Sequence, residues 1–301
     1  MSKIGIIGMG HVGADLGNTL CQAGQVDELV IIDKKADKIT AEALEYQDAM
    51  LSTNQTVKIF TQDVELLKDA DIVVISFGSQ SIDNEDRTSE LKDNAASVRE
   101  MIPQIVSTGF RGIFLVISNP CDVITALVQE VSGFPAHRII GTGTSLDTNR
   151  MRRIVGQEFG VSPQSVEGYV LGEHGESQFV AWSTVRIGSQ LLTDTYDVSQ
   201  EKLEWMKEET RLGGWHIHQA KGWTSYGISS TAARIIQSIL KDEQKIYPVS
   251  TWDKTKDIFL GYPAVIGKQG VVKRLELALT DEETAKYQKS AVKIKSFFEK
   301  V

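Results

Sequence analysis

His174, in the run Gly172-Glu173-His174-Gly175, brings an imidazole to this chain, and Leu146-Asp147-Thr148-Asn149-Arg150 brings a carboxylate and a guanidinium. An imidazole titrates near neutral pH and can donate or accept a proton there. A carboxylate on its second ring nitrogen, such as that of Asp147, fixes the tautomer and favours the protonated form. The guanidinium of Arg150 is a planar fork that matches a substrate carboxylate in two parallel hydrogen bonds. This is equipment for acid–base chemistry on a small organic acid.

The N-terminal residues point to the other reactant. Gly8-Met9-Gly10-His11-Val12-Gly13 follows the apolar run Ile4-Gly5-Ile6-Ile7 and leads into a helical stretch, Ala14 to Ala23. Leu29-Val30-Ile31-Ile32 then reads as a second strand, ending at Asp33. Glycines at this spacing also occur in ordinary strand–turn–helix junctions. Strand, glycine turn, helix, strand and terminal acid in this order form a dinucleotide-binding fingerprint. Gly8 permits the tight turn, Gly10 lets a pyrophosphate approach the backbone, and Gly13 lets the helix pack close to the strand. His11 and Val12 sit at the helix N-terminus, whose free N–H groups and partial positive charge suit phosphates. Asp33 falls about 20 residues beyond Gly13, where an acid accepts hydrogen bonds from both ribose hydroxyls. It repels a 2′-phosphate, so NAD is expected rather than NADP.

A chain of 301 residues forms two domains or one large α/β unit, with ample core. The net charge of −8 and pI of about 5.3 argue against a nucleic-acid or anionic-membrane partner. Cys21 and Cys121 stand far apart without metal-ligand spacing, which suits a reducing cytoplasm. No His/Cys/Asp/Glu cluster has metal-ligand spacing, and no apolar run approaches a bilayer span. A first strand near Lys3 leaves no room for a signal peptide, so a cytoplasmic location is expected.

Strand patterns then alternate with helical ones. Val57 to Phe60, Ile72 to Ser76 and Ile113 to Ile117 are short, mostly apolar strands. Such strands between helices predict a parallel sheet covered on both faces, with right-handed crossovers. The fold class is therefore α/β: a doubly wound, Rossmann-type parallel sheet over residues 1–141, followed by an α+β substrate domain over 142–301. Ligands bind beyond the carboxyl ends of such strands, so the loops after Ile7, Ser76 and Ile117 face the site. The second region has longer helices and mixed strands, including Phe179 to Ile187. His216 and His218 alternate like neighbours on a strand and read as structural or surface residues. Asp281 to Lys300 reads as an amphipathic helix with Thr280 as its N-cap.

These motifs resemble the L-lactate/malate dehydrogenase family. The resemblance runs nearly end to end, through Gly8 to Gly13, Ser118-Asn119-Pro120, Leu146 to Arg150, Leu171 to Gly175 and Lys221-Gly222-Trp223-Thr224. Within the family the chain is most similar to the L-2-hydroxyisocaproate dehydrogenase branch, through Ile117 to Leu127, Gln178 to Ser183 and Lys221 to Gly227. The resemblance implies that His174 is the proton donor to a 2-oxo acid and Asp147 its orienting partner. It makes Arg150 the grip on the substrate carboxylate and Arg87 a mobile-loop arginine that polarises the carbonyl. Asn119 matches a residue touching the nicotinamide ribose and the reacting oxygen, and Thr224 matches a pocket-lining residue. A homo-oligomer, dimer or tetramer, is implied as well.

Substrate choice is read ahead of Arg87, in Gly78-Ser79-Gln80-Ser81-Ile82-Asp83-Asn84-Glu85-Asp86. Ser81 falls nearest the family's reading position, with Gln80 beside it. Neither is basic, and the loop is acidic, which disfavours malate because a second substrate carboxylate is left without a partner. The small Ser81 and the pair Gly213-Gly214 leave room for a branched or bulky 2-oxo monocarboxylic acid such as 2-oxoisocaproate. L-lactate dehydrogenase proper is the alternative, and a catalytically silent NAD-binding sensor is a third reading. Arg152 matches an arginine that binds fructose 1,6-bisphosphate in bacterial lactate enzymes, but Glu167 stands where the partner histidine is found. An acid there implies no such activation.

Overall fold

Runs of isoleucine and valine define the centre of the molecule. The computed structural model describes residues 1–78 and 87–301, with side chains for 1–78 and 90–301. The N-terminal part comprises β1 (Lys3–Ile7), α1 (His11–Gln22), β2 (Glu28–Ile32), α2 (Ala36–Thr53), β3 (Lys58–Thr61) and β4 (Ile72–Ile75). It continues with α3 (Arg87–Ser107), β5 (Ile113–Val116), α4 (Cys121–Ser132) and β6 (Ile139–Gly141). Every residue of β4, β5 and β6 is buried, as helices on both faces of a parallel sheet require. The strands pair in parallel in the order β3-β2-β1-β4-β5-β6. The chain runs outward in one direction from β1 and in the other from β4. The carboxyl ends of β1 and β4 therefore flank the switch point at which doubly wound sheets bind ligands.

The second part begins with α5 (Ser145–Glu158) and the short strands β7 (Val166–Glu167), β8 (Val170–Leu171), β9 (Phe179–Val180), β10 (Arg186–Ile187) and β11 (Gln190–Leu191). The helices α6 (Leu192–Thr195), α7 (Gln200–Lys221) and α8 (Tyr226–Leu240) follow. It ends with β12 (Lys245–Asp253), β13 (Ile258–Gly267), β14 (Gly270–Arg274) and α9 (Asp281–Phe298). The last three strands extend the N-terminal sheet: β12 joins β6 through Ser250 and Gly141, giving a nine-stranded sheet with an antiparallel edge. Residues of the second region thus reach the switch-point end of the first.

Two local expectations are corrected. Phe179 to Ile187 is not one strand, because a 3₁₀ turn at Trp182–Thr184 interrupts it. The Glu283 carboxylate accepts the Ser183 N–H and O–H at 3.0 and 2.6 Å and draws that turn onto α9. His216 and His218 are not strand neighbours either; both lie in α7. Ser199 caps that helix and Gly222, at φ +88°, ends it, so the two-residue alternation carried no strand information. Thr280 does cap α9, in a reciprocal capping box with Glu283.

Candidate active site

The glycine turn is built by close approach. Gly8 has φ +96°, and a Cβ on it would lie 2.4 Å from the Ser76 carbonyl oxygen. A Cβ on Gly13 would lie 2.1 Å from the Gly8 carbonyl oxygen, so only glycine lets α1 start this close to β1. Around Gly10 the space is open, with nothing within 4 Å of a Cβ there. Gly10 is the N-cap of α1 and no side chain caps the helix, so its first-turn N–H groups are left for a ligand or water. Asp33, just past β2, accepts the Met9 N–H at 2.7 Å, and Gln62 brackets its main chain. An open backbone cradle, an uncapped helix and an acid at the second strand end fit a dinucleotide.

His11, the first residue of α1, stacks on Trp223 with ring centroids 4.2 Å apart and planes 6° from parallel. Trp223 and Thr224 belong to the short connection between α7 and α8. The glycine turn thus touches the connection that carries Thr224. Nothing in the spacing of the sequence signals this contact.

Asp147 and Arg150 lie one turn apart on α5, so their side chains share a face. The Asp147 side chain is 1% exposed. Its Oδ2 is 2.6 Å from His174 Nδ1, and its Oδ1 accepts from Arg150 Nη1 at 2.9 Å. Burial pushes the Asp147 carboxyl up, but the imidazole and guanidinium beside it outweigh burial and hold it below the usual carboxylate range. The Asp147 charge in turn raises His174 above the usual histidine value, against the opposing effect of burial. With Nδ1 engaged by a carboxylate, Nε2 is the ring nitrogen available for proton exchange. The His174 side chain is 29% exposed, open enough for a small molecule to reach it.

The turn carrying His174 is held from several sides. Gly172 exchanges main-chain hydrogen bonds with Gly261 of β13. Glu173 is buried, accepts from Ser177 N–H at 2.9 Å and pairs with Lys293 of α9 at 2.9 Å. Asp122, in the first turn of α4, accepts the His174 main-chain N–H at 2.9 Å and the Ser250 hydroxyl at 2.6 Å. Sequence reasoning singled out neither Glu173 nor Asp122. An acid in the first turn of a helix usually just complements the helix dipole, so Asp122 carried no distinguishing signal.

Asn119 stands before a cis Pro120 at the start of α4, and its carbonyl accepts from Asn94 Nδ2 of α3 at 2.7 Å. Gly213 and Gly214 of α7 face Arg150; a Cβ on Gly214 would sit 3.1 Å from Nη2. Gln80 and Ser81 lie outside the described residues. Arg87 opens α3, and its side chain also lies outside them. Cys21 and Cys121 are buried free thiols, each pushed up to about 12 by burial. Among the described residues no group of three His, Cys, Asp or Glu side chains could hold a metal, and no helix is long and apolar enough to cross a membrane.

Residues 2–141 match the model of the lactate/malate dehydrogenase NAD-binding domain, and residues 144–301 match that family's alpha/beta C-terminal domain. L-lactate dehydrogenase 1 of Bifidobacterium longum is 40% identical over 302 residues, covering 96% of this chain and 95% of its own. L-lactate dehydrogenase 3 of Bacillus cereus is 37% identical over 297 residues, covering 96% and 94%. The crystal structure of the minor L-lactate dehydrogenase from Enterococcus mundtii in its ligands-bound form superposes with a TM-score of 0.96 at 33% identity, covering 100% of this chain and 98% of that one. The chain therefore belongs to the lactate/malate dehydrogenase family and is an NAD-dependent dehydrogenase of the lactate type.

Proposed function

We propose that the chain interconverts 2-oxo and L-2-hydroxy monocarboxylic acids at the His174 site and favours branched or bulky side chains over the methyl group of pyruvate. The observation that carries the acid–base part is the 2.6 Å contact between Asp147 and His174 Nδ1, which leaves Nε2 for the substrate. In this reading the Arg150 fork binds the substrate carboxylate. Bound NADH supplies the hydride. His174 gives its Nε2 proton to the carbonyl oxygen during reduction and takes it back during oxidation. Asp147, with its carboxyl held ionised, stabilises the imidazolium before the proton is given up. Arg87 polarises the carbonyl, Asn119 contacts the nicotinamide ribose and reacting oxygen, and Thr224, Ser81 and Gln80 line the pocket. Gly8, Gly10, His11, Val12 and Gly13 cradle the cofactor phosphates and Asp33 takes the ribose.

Two features support a bulky substrate. Gly213 and Gly214 present no side chain toward Arg150, although mid-helix glycine costs about 1 kcal/mol relative to alanine. None of residues 78–86 ahead of Arg87 is basic, and three of them, Asp83, Glu85 and Asp86, are acidic. Burying about three more methylenes contributes roughly 2 kcal/mol, a factor of about 30 in kcat/KM. The relatives are named L-lactate dehydrogenases, which favours the second reading, a pyruvate-specific enzyme. A panel of pyruvate, 2-oxoisocaproate, phenylpyruvate and oxaloacetate, followed by NADH absorbance, decides between them. We expect 2-oxoisocaproate to exceed pyruvate in kcat/KM and oxaloacetate to be poorest; a clear preference for pyruvate establishes the second reading. Silence across the panel with NADH still bound establishes a sensor.

Activation by fructose 1,6-bisphosphate is not expected. Burial pulls the Arg152 guanidinium down, while the charge of Glu167 beside it acts in the opposite direction. Glu167 supplies the negative charge that a sugar bisphosphate would otherwise bring, and it repels that ligand. Substrate saturation curves with and without the bisphosphate should coincide; a sigmoidal curve made hyperbolic by it contradicts this assignment.

A further inference from the structure

We propose that Asp122 is a positioning residue for the reaction: it holds His174 by the main chain while Asp147 holds it by the ring. The proposal rests on His174 being the acid–base group. Asp122 is 1% exposed. One of its oxygens accepts the His174 N–H and the other accepts the Ser250 hydroxyl of β12, so both lie within the core. An amide could meet the same two groups, accepting from one and donating to the other, without the cost of burying a carboxylate, which is several kcal/mol before compensation. The charge therefore has an effect that the hydrogen bonds alone do not provide.

That effect follows from where the carboxylate sits. It accepts the His174 main-chain N–H, and its field adds to that of Asp147 in favouring the imidazolium. Among the described residues, the other charged groups around the pair come from several elements. Asp147 and Arg150 face His174 from α5. Glu173 faces Asp122 from the His174 turn and is itself paired with Lys293 of α9. Cys121 adjoins Asp122 on α4, and its thiol stays protonated because burial raises it. Burial pushes the Asp122 carboxyl up to about 6, against the Ser250 and His174 hydrogen bonds. It is therefore mostly ionised above that pH.

The hold is also geometric. A ring fixed only through Nδ1 can still move with its turn. A second anchor on the same residue's N–H fixes the turn to α4, and Asn119 stands at the start of that helix. The proton donor and the proposed nicotinamide contact are thus set by one short segment, Asn119 to Asp122. A misplacement of about 1 Å can lower a rate by about 100-fold.

Asp122→Asn and Asp122→Ala, made in the whole 301-residue chain beside His174→Asn, test this. Steady-state kinetics with NADH and the best 2-oxo acid of the panel are measured from about pH 5 to 9, with NADH affinity by fluorescence and Tm by calorimetry. The asparagine can accept from the His174 N–H and donate to Ser250, so it keeps the geometry and removes only the charge. It should hold kcat within about threefold near pH 6 and move the midpoint of the alkaline fall in reduction to lower pH by about half a unit. The alanine should lower kcat about tenfold or more with NADH affinity within about twofold. The proposal is overturned if the asparagine midpoint does not move, if alanine keeps kcat within about twofold, or if alanine loses kcat, NADH affinity and Tm together. If the alanine variant does not fold, the asparagine midpoint alone decides. Full activity in His174→Asn overturns instead the reading on which the proposal rests.

Discussion

His174→Asn lowers 2-oxo acid reduction by about 10²- to 10⁴-fold, the range for loss of a positioned general acid, with NADH affinity unchanged. Asparagine can still donate to Asp147, so the buried carboxylate keeps a partner and the fold is retained. What disappears is the imidazole, whose Nε2 can carry a proton near neutral pH. The pH behaviour makes the assignment specific. If His174 is the proton donor, reduction needs the imidazolium and oxidation needs the neutral ring. Asp147 raises His174 above the ordinary histidine value, against burial, so the imidazolium persists to higher pH than in a free histidine. Reduction by the parent enzyme should fall as pH rises through that raised value, and oxidation of the hydroxy acid should rise through it. Both profiles should flatten in the asparagine variant. A variant that keeps the parent's pH profile and more than about a tenth of its rate removes His174 from the chemistry.

The sheet was legible because its strands are continuous apolar runs between helices, a pattern that few other architectures share. The glycine turn was legible for a similar reason: Gly8 and Gly13 meet steric demands that the structure exhibits as close contacts, whereas Gly10 stands in open space. The pairing of His174 with Asp147 and Arg150 came from motif order, since nothing in local spacing brings α5 to a turn between β8 and β9. Long-range contacts were the least legible. Asp122 and Ser250 are brought together only when β12 adds to the edge of the parallel sheet at β6. The stacking of His11 on Trp223 joins the first helix to a connection late in the chain. The exposed and partly exposed faces of α7 misled the reading of His216 and His218, because two alternating residues fit a helix as readily as a strand.

Arg150→Gln should lower kcat/KM for a 2-oxo acid by about 30- to 5,000-fold, corresponding to roughly 2–5 kcal/mol for losing one partner of a desolvated, hydrogen-bonded charge pair. Arg150→Lys should fall between the variant and the parent, because it keeps the charge but loses the fork. The loss should appear mainly in KM, with NADH binding unaffected. A neutral ketone of similar shape is the control: if it loses as much as the acid, Arg150 does not grip a carboxylate. The guanidinium is placed by one contact and by one clearance. Asp147 holds Nη1 at 2.9 Å, and the bare backbone of Gly214 admits Nη2 on the α7 side. Removing Arg150 also removes a positive charge that lowers the proton affinity of His174. The pH midpoint of reduction should therefore move upward in Arg150→Gln, opposite in sign to the shift expected from Asp122→Asn. Opposite shifts from two neutralisations flanking one imidazole are hard to produce by general damage to the fold. They follow directly if that imidazole carries the proton and its balance is set by the buried charges on either side.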